Sequence, residues 1–196
     1  MSKFTTIVIC LVIFALCVNL VIFFLGRVKT NPTPLISENN SREKKIEHVM
    51  LKQFEVEHRP LIISATLSNS LKEYMKSNTI LVFYFDKLSC DPCTNIAIAD
   101  LISHKETIGK QHILVLVAED DQRQAMLLMS QVKDHFNTLW IKPSEIKFEG
   151  IDEHLPVHFF LLDQSLNPFC LYFFMPEFSA FNNEYFNMVA KRISQK

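Results

Sequence analysis

From residue 60 onwards, short apolar runs alternate with stretches whose apolar residues recur every three or four positions. By that spacing, Leu67, Leu71, Tyr74 and Met75 mark one helix. TILVFYF, residues 79–85, is a continuous apolar run rich in strand formers, the pattern of a strand buried on both faces. Residues 93–106 return to helical spacing with Ile96, Ala97 and Leu101 inward, and HILVLVA, 112–118, is a second buried strand. A helix over 120–136 comes next, opened by Asp120 and Asp121 at its positive end. VHFFLLD (157–163), the turn QSLNP and FCLYFFM (169–175) predict a hairpin. Phe186, Val189, Ala190 and Ile193 share one face of a last helix, which Asn182 or Asn183 is placed to cap. Strand, helix, strand, helix, hairpin, helix is an α/β order, and strands this apolar require a mixed sheet covered on both faces.

The first 59 residues read differently. After a tail of residues 1–3, Phe4 to Leu25 runs 22 positions without a charge. At about 1.5 Å per residue it matches a hydrocarbon core of roughly 30 Å, so 4–25 is expected to be a transmembrane anchor. A cleavable signal peptide would have a shorter apolar region ending in small residues, whereas this one ends in Phe23, Phe24 and Leu25. Lipid attachment at Cys17 would call for a small residue before it, and Leu16 is large. Residues 26–45 are polar, carry Pro32 and Pro34, and read as a linker. Ile46, Val49, Met50 and Phe54 then predict an amphipathic lead-in helix over 46–59, and the main domain is expected over 60–196. Positive charges slightly favour the large part inside, but the short N-terminal tail is that of an anchor that exports the domain behind it.

Charge excludes one class of partner. Lys and Arg total 20 against 21 Asp and Glu, so there is no basic field for nucleic acid. With 17 Phe and only 3 Gly, the chain can build a dense core, while a glycine-rich phosphate loop has too few residues to form.

The chemistry lies in FDKLSCDPCTNI, residues 85–96. Cys90 falls just past the first buried strand, and Cys93 opens the helix after it. A thiolate at a helix N-terminus meets unpaired N–H groups and the positive end of the helix dipole, which lowers its pKa and makes it reactive. Two thiols three positions apart on a first turn can close a disulfide, and Pro92 suits that turn because its missing N–H has no intrahelical partner there. Two other readings stand beside the dithiol: a pair of buried structural thiols, or a zinc site completed by His104 and His112 or by His158 and Cys170.

ILVFYFDKLSCDPC resembles the active-site segment of the thioredoxin superfamily, in which a buried strand runs into Cys-x-Pro-Cys and a helix. HLPVHFFLLD, 154–163, is similar to the proline the family carries before its third core strand, normally with a cis bond. Pro156 is then the cis-proline candidate and Leu155 the residue before it. The 63 positions from Cys93 to Pro156 leave room for an extra strand–helix unit, as in the membrane-anchored, envelope-facing TlpA/ResA-type branch. Ser89 stands where the family commonly has Trp, Tyr84 where minimal thioredoxins have a buried Asp, and Lys87 where peroxiredoxins need Thr, so peroxidase activity is not expected.

The resemblance implies a thioredoxin-like mixed β-sheet flanked by helices, behind one N-terminal transmembrane helix. It also implies a thiol–disulfide oxidoreductase without organic cofactor or metal, facing the periplasm or another extracytoplasmic space. Cys90 would attack, Cys93 would resolve through a Cys90–Cys93 disulfide, and Leu155 and Pro156 would hold the substrate chain. Asp91, between the cysteines, opposes a thiolate at Cys90 and favours a reductant. The partners would be disulfide-bearing proteins, a dithiol donor in the membrane, and the bilayer through 4–25. The rivals are a tethered binding module with a static disulfide, and a copper or zinc chaperone.

Overall fold

The computed structural model describes residues 34–57, 59–75, 79–89, 91–151 and 155–195, with side chains from Glu43 onward. The expected anchor over 4–25 lies outside them, and no described helix is long and apolar enough to cross a membrane. The chain divides into two units, Met1–His48 and Val49–Lys196. Helix α1 covers Pro34–Glu57, so residues 34–45, expected as linker, are helical. Pro34 does not conflict with this, since it stands at the first helical position, where a proline is tolerated.

The second unit holds two sheets. β1 (Leu61–Ile63) pairs antiparallel with β5 (Ile146–Phe148), matching Leu61 to Phe148 and Ile63 to Ile146. The main sheet comprises β2 (Ile80–Asp86), β3 (Ile113–Ala118), β4 (Asn137–Ile141), β6 (His158–Leu162) and β7 (Pro168–Phe173), in the order β4-β3-β2-β6-β7. β2 runs parallel to β3, and β3 to β4, while β6 is antiparallel to both β2 and β7. This is the mixed sheet expected, with β2 at its centre.

Alternation along the strands decides which helix covers which face. Leu81, Phe83 and Phe85 of β2, with Val115, Val117, Phe159 and Leu161, face α3 (Asp91–Ile108) and α5 (Ser179–Ser194). Phe83 stacks on Phe159 at 4.6 Å between ring centres. Ile80, Val82, Leu114, Leu116, Phe160 and Leu162 face the other way, towards Val56, the α2 (Ala65–Met75) residues Leu67, Leu71 and Met75, and β5. With both faces covered, the central strands are apolar at nearly every position, which is why they read as runs.

Several local expectations change. α4 spans only Gln122–Ser130, capped by the Asp121 carboxylate, which accepts from the backbone of Arg123 (2.8 Å) and Gln124 (3.0 Å). Beyond it comes a turn in which Val132 and Phe136 are still buried, so burial rather than helix produced the periodicity there. α5 begins at Ser179, three residues before Asn182, so neither Asn182 nor Asn183 caps it. Asn182 is instead fully buried, accepting from the Tyr172 hydroxyl and donating to Met175 O (3.2 Å) and Asp100 Oδ2 (3.4 Å). Ile96 is exposed rather than inward. The hairpin turn has no glycine: Leu166 takes φ 63°, and the Asp163 carboxylate accepts from the N–H of Ser165 and Asn167, both at 2.9 Å.

Candidate functional site: the end of the central strand

The turn after β2 is tied by one side-chain pair. Asp86 Oδ1 accepts from the Leu88 N–H (2.9 Å) and the Ser89 hydroxyl (3.2 Å). Ser89 Oγ accepts from Asp86 N (3.1 Å), and Ser89 N donates to Asp86 O (3.0 Å). Ser89, 8% exposed, thus fixes the turn through hydrogen bonds, a role that neither its identity nor its place beside the cysteine reveals in sequence. Leu88 stands out at 66% exposure.

Cys93 lies on the first turn of α3, half-buried against the Phe83 side of the core, and is disulfide-bonded. Cys90, its expected partner, lies outside the described residues. Asp91 and Pro92 are exposed on the same first turn, where a carboxylate suits the helix dipole. This placement, directly after the C-terminal end of a central strand, is where open α/β sheets carry their sites.

Across the parallel pair, Lys87 meets Glu119. Its ammonium is 3.3 Å from Glu119 Oε1 and 3.9 Å from Asp120 Oδ2. Glu119 is only 2% exposed and also accepts from Asp120 N (2.8 Å) and Asp121 N (3.2 Å). Burial alone would raise its pKa, but the Asp121 N–H, Lys87 and the Asp120 N–H together outweigh it and hold the carboxyl below its ordinary value. Lys87, Asp91, Thr94, Asn95 and Glu119 line one cavity of about 360 Å³. Glu119 is a site residue that the sequence does not signal, because it lies 32 positions from Lys87.

On the opposite face, the half-buried Tyr84 ring stacks on His158 at 4.8 Å. Burial, then the Asp86 charge, drives its phenol pKa far up. Tyr84 therefore stays neutral and is no replacement for an ionised proton acceptor. His158 is buried, and its Nδ1 donates to the Pro156 carbonyl at 2.7 Å.

Leu155 and Pro156 are half-buried. The expected cis bond is not found: no peptide bond among the described residues is cis, the Leu155–Pro156 bond included. Trans is favoured by about 0.5–1 kcal/mol even before proline, and the Pro156 and Val157 carbonyls are already engaged by His158 Nδ1 and by Phe174 N (2.9 Å). Glu153 and His154 lie outside the described residues.

Among the described residues, no group of three or more His, Cys, Asp and Glu is placed to hold a metal. His104 Nδ1 is engaged by Asp100 O and Ser103 Oγ, both at 2.9 Å. Cys170 sits at an irregularity in the β6–β7 ladder with φ 54°, half-buried, its thiol pKa raised by burial.

No family model matches the chain, and no curated protein does either. Among solved structures, a thiol:disulfide interchange protein from Bacteroides sp. is similar over 69% of this chain and 88% of its own, at 13% identity and TM-score 0.47. The thioredoxin domain of a thiol-disulfide oxidoreductase from Bacteroides vulgatus is similar over 63% and 84%, at 11% identity and TM-score 0.45. Copper-bound ScoI from Arabidopsis thaliana is similar over 64% and 89%, at 11% identity and TM-score 0.41.

Proposed function

We propose that the chain is a thiol–disulfide oxidoreductase whose Cys90–Cys93 pair exchanges with disulfides of partner proteins. The observation that carries this reading is Cys93 itself: disulfide-bonded, on the first turn of α3, directly beyond the central strand β2. In the reduced pair, the Cys90 thiolate attacks a substrate disulfide and expels one substrate thiolate, leaving a mixed disulfide. Cys93 then attacks Cys90 Sγ and expels the second thiolate. Two electrons pass to the substrate, and a dithiol donor returns the pair to its reduced form. The backbone at Leu155, the residue before Pro156, is the proposed hold on the partner chain.

We place the domain outside the cytoplasm, tethered by residues 4–25 and facing the periplasm or an equivalent space, with the donor in the same membrane. This rests on the uncharged apolar run and on the redox compartment a stable disulfide needs. The test is insulin reduction by the full-length chain supplied with a dithiol. Cys90→Ser should abolish turnover with the fold intact, and Cys93→Ser should accumulate mixed disulfides. A wild-type chain inert towards disulfides and dithiols would replace this reading with a binding module.

A further inference from the structure

The residues that lead into the proposed dithiol close on themselves. Ser89 Oγ donates to Asp86 Oδ1 (3.2 Å) and accepts from Asp86 N (3.1 Å), while Ser89 N donates to Asp86 O (3.0 Å). Asp86 Oδ1 also accepts from Leu88 N (2.9 Å). This clasp stands on a fixed base, since Asp86 ends β2 and pairs with Ala118 of β3. Ser89 is buried, so water competes little for its hydroxyl. Position 90 is the single residue between Ser89 and Asp91, where α3 begins. The chain is therefore held on both sides of that position, by the clasp before it and by the first turn of α3, with the half-buried Cys93, after it.

We infer that Ser89 and Asp86 are positioning residues that favour closure of the Cys90–Cys93 disulfide and so make the pair a stronger reductant. The inference rests on the dithiol reading and deepens it by naming what sets the poise of that site. Closing the pair against glutathione disulfide forms one S–S bond, breaks another and releases two glutathione thiols, so two electrons leave the protein. In the closed form the disulfide itself restrains the chain. In the open form the chain entering position 90 is restrained by the clasp. Removing the clasp thus frees the reduced form more than the oxidised one, and closure must then give up more conformational entropy. A residue that supported the fold alone would weaken both forms alike and leave this equilibrium unmoved.

For the test, the full-length chain in lipid nanodiscs is equilibrated with reduced and oxidised glutathione, alkylated and read by peptide mass. Ser89→Ala should lower the equilibrium constant for closure about three- to tenfold, the scale of one hydrogen bond, which makes the potential roughly 15–30 mV less negative. Asp86→Asn keeps an acceptor oxygen for Leu88 N and the Ser89 hydroxyl but not the charge, and should move the constant less than about twofold. Asp86→Ala removes that acceptor and should shift as Ser89→Ala does, which keeps the test decisive where one of the two does not fold. A constant within about twofold of wild type in whichever of these folds, or a shift the other way, overturns the inference and leaves the dithiol in place. So does an Asp86→Asn shift as large as theirs, since charge rather than hydrogen bonding would then set the poise. A wild-type pair that glutathione neither closes nor opens overturns inference and dithiol together. Insulin reduction is scored separately: a shifted equilibrium without turnover removes the oxidoreductase and leaves the positioning role standing.

Discussion

The Lys87 ammonium lies 3.3 Å from the Glu119 carboxylate, joining the residue after β2 to the residue after β3. The parallel register sets this up, because Asp86 is opposite Ala118 and the next residue of each strand meets at the sheet's end. Lys87 is half in solvent, so the ion pair itself contributes little. The buried carboxylate and its two backbone donors matter more.

Glu119→Gln should therefore cost about 1–2 kcal/mol at pH 7, the loss of charge-assisted hydrogen bonds. The folded-state pKa of Glu119 lies below its ordinary value of 4.5. Its contribution is therefore complete above 4.5 and lost as pH falls through the lower, folded value. Urea unfolding at about pH 7 and about pH 3 should show wild type and variant well apart in the first case and converging in the second. A gap that widens in acid would reverse the sign of this account.

Tyr172 and Asn182 are coupled in the same way within the core. Tyr172→Phe leaves the buried Asn182 amide oxygen without its donor and should cost about 1–3 kcal/mol, as should Asn182→Ala. The double variant should fall short of the sum by more than about 0.5 kcal/mol. Strict additivity of the three unfolding free energies would show that the hydroxyl and the amide do not depend on each other.

Asp91 offers a finer test of the dithiol turn. On the proposed dithiol reading its negative charge would disfavour a thiolate at Cys90, and Asp91→Asn should then make the potential less negative. For an exposed charge worth up to about 1 kcal/mol, the shift is at most roughly 20 mV, since 30 mV corresponds to about 1.4 kcal/mol. Removing a carboxylate from the first turn of α3 should also lower stability by a few tenths of a kcal/mol. A potential that moves the other way would contradict the electrostatic assignment.

The parts of this fold that are legible in sequence are those where burial imposes a period. β2, β3, β6 and β7 are apolar because both faces are covered, and α3 and α5 show their inward stripes. β1 and β5 escape notice because each has three residues, too few to establish alternation. β4, NTLWI, is at the sheet edge and largely half-buried, so its pattern is weak. Val132 and Phe136 imitate a helix because the turn that carries them is buried at the same interval. The placement of Cys93 on the first turn of a helix that follows a buried strand was readable from the apolar run before it. Ser89 and Glu119 were not, since their roles arise from a turn hydrogen bond and from a contact across the sheet.

The most direct measurement is a redox titration of the Cys90–Cys93 pair in the full-length chain, equilibrated in dithiol and disulfide buffers, alkylated and read by peptide mass. A working site predicts that both thiols of this one peptide convert together and reversibly, with a tenfold change in equilibrium for about every 30 mV and a midpoint more negative than about −120 mV. The half-buried Cys170 stays apart from that transition. A disulfide that dithiol buffers cannot reduce, or one that does not re-form once reduced, would contradict the account.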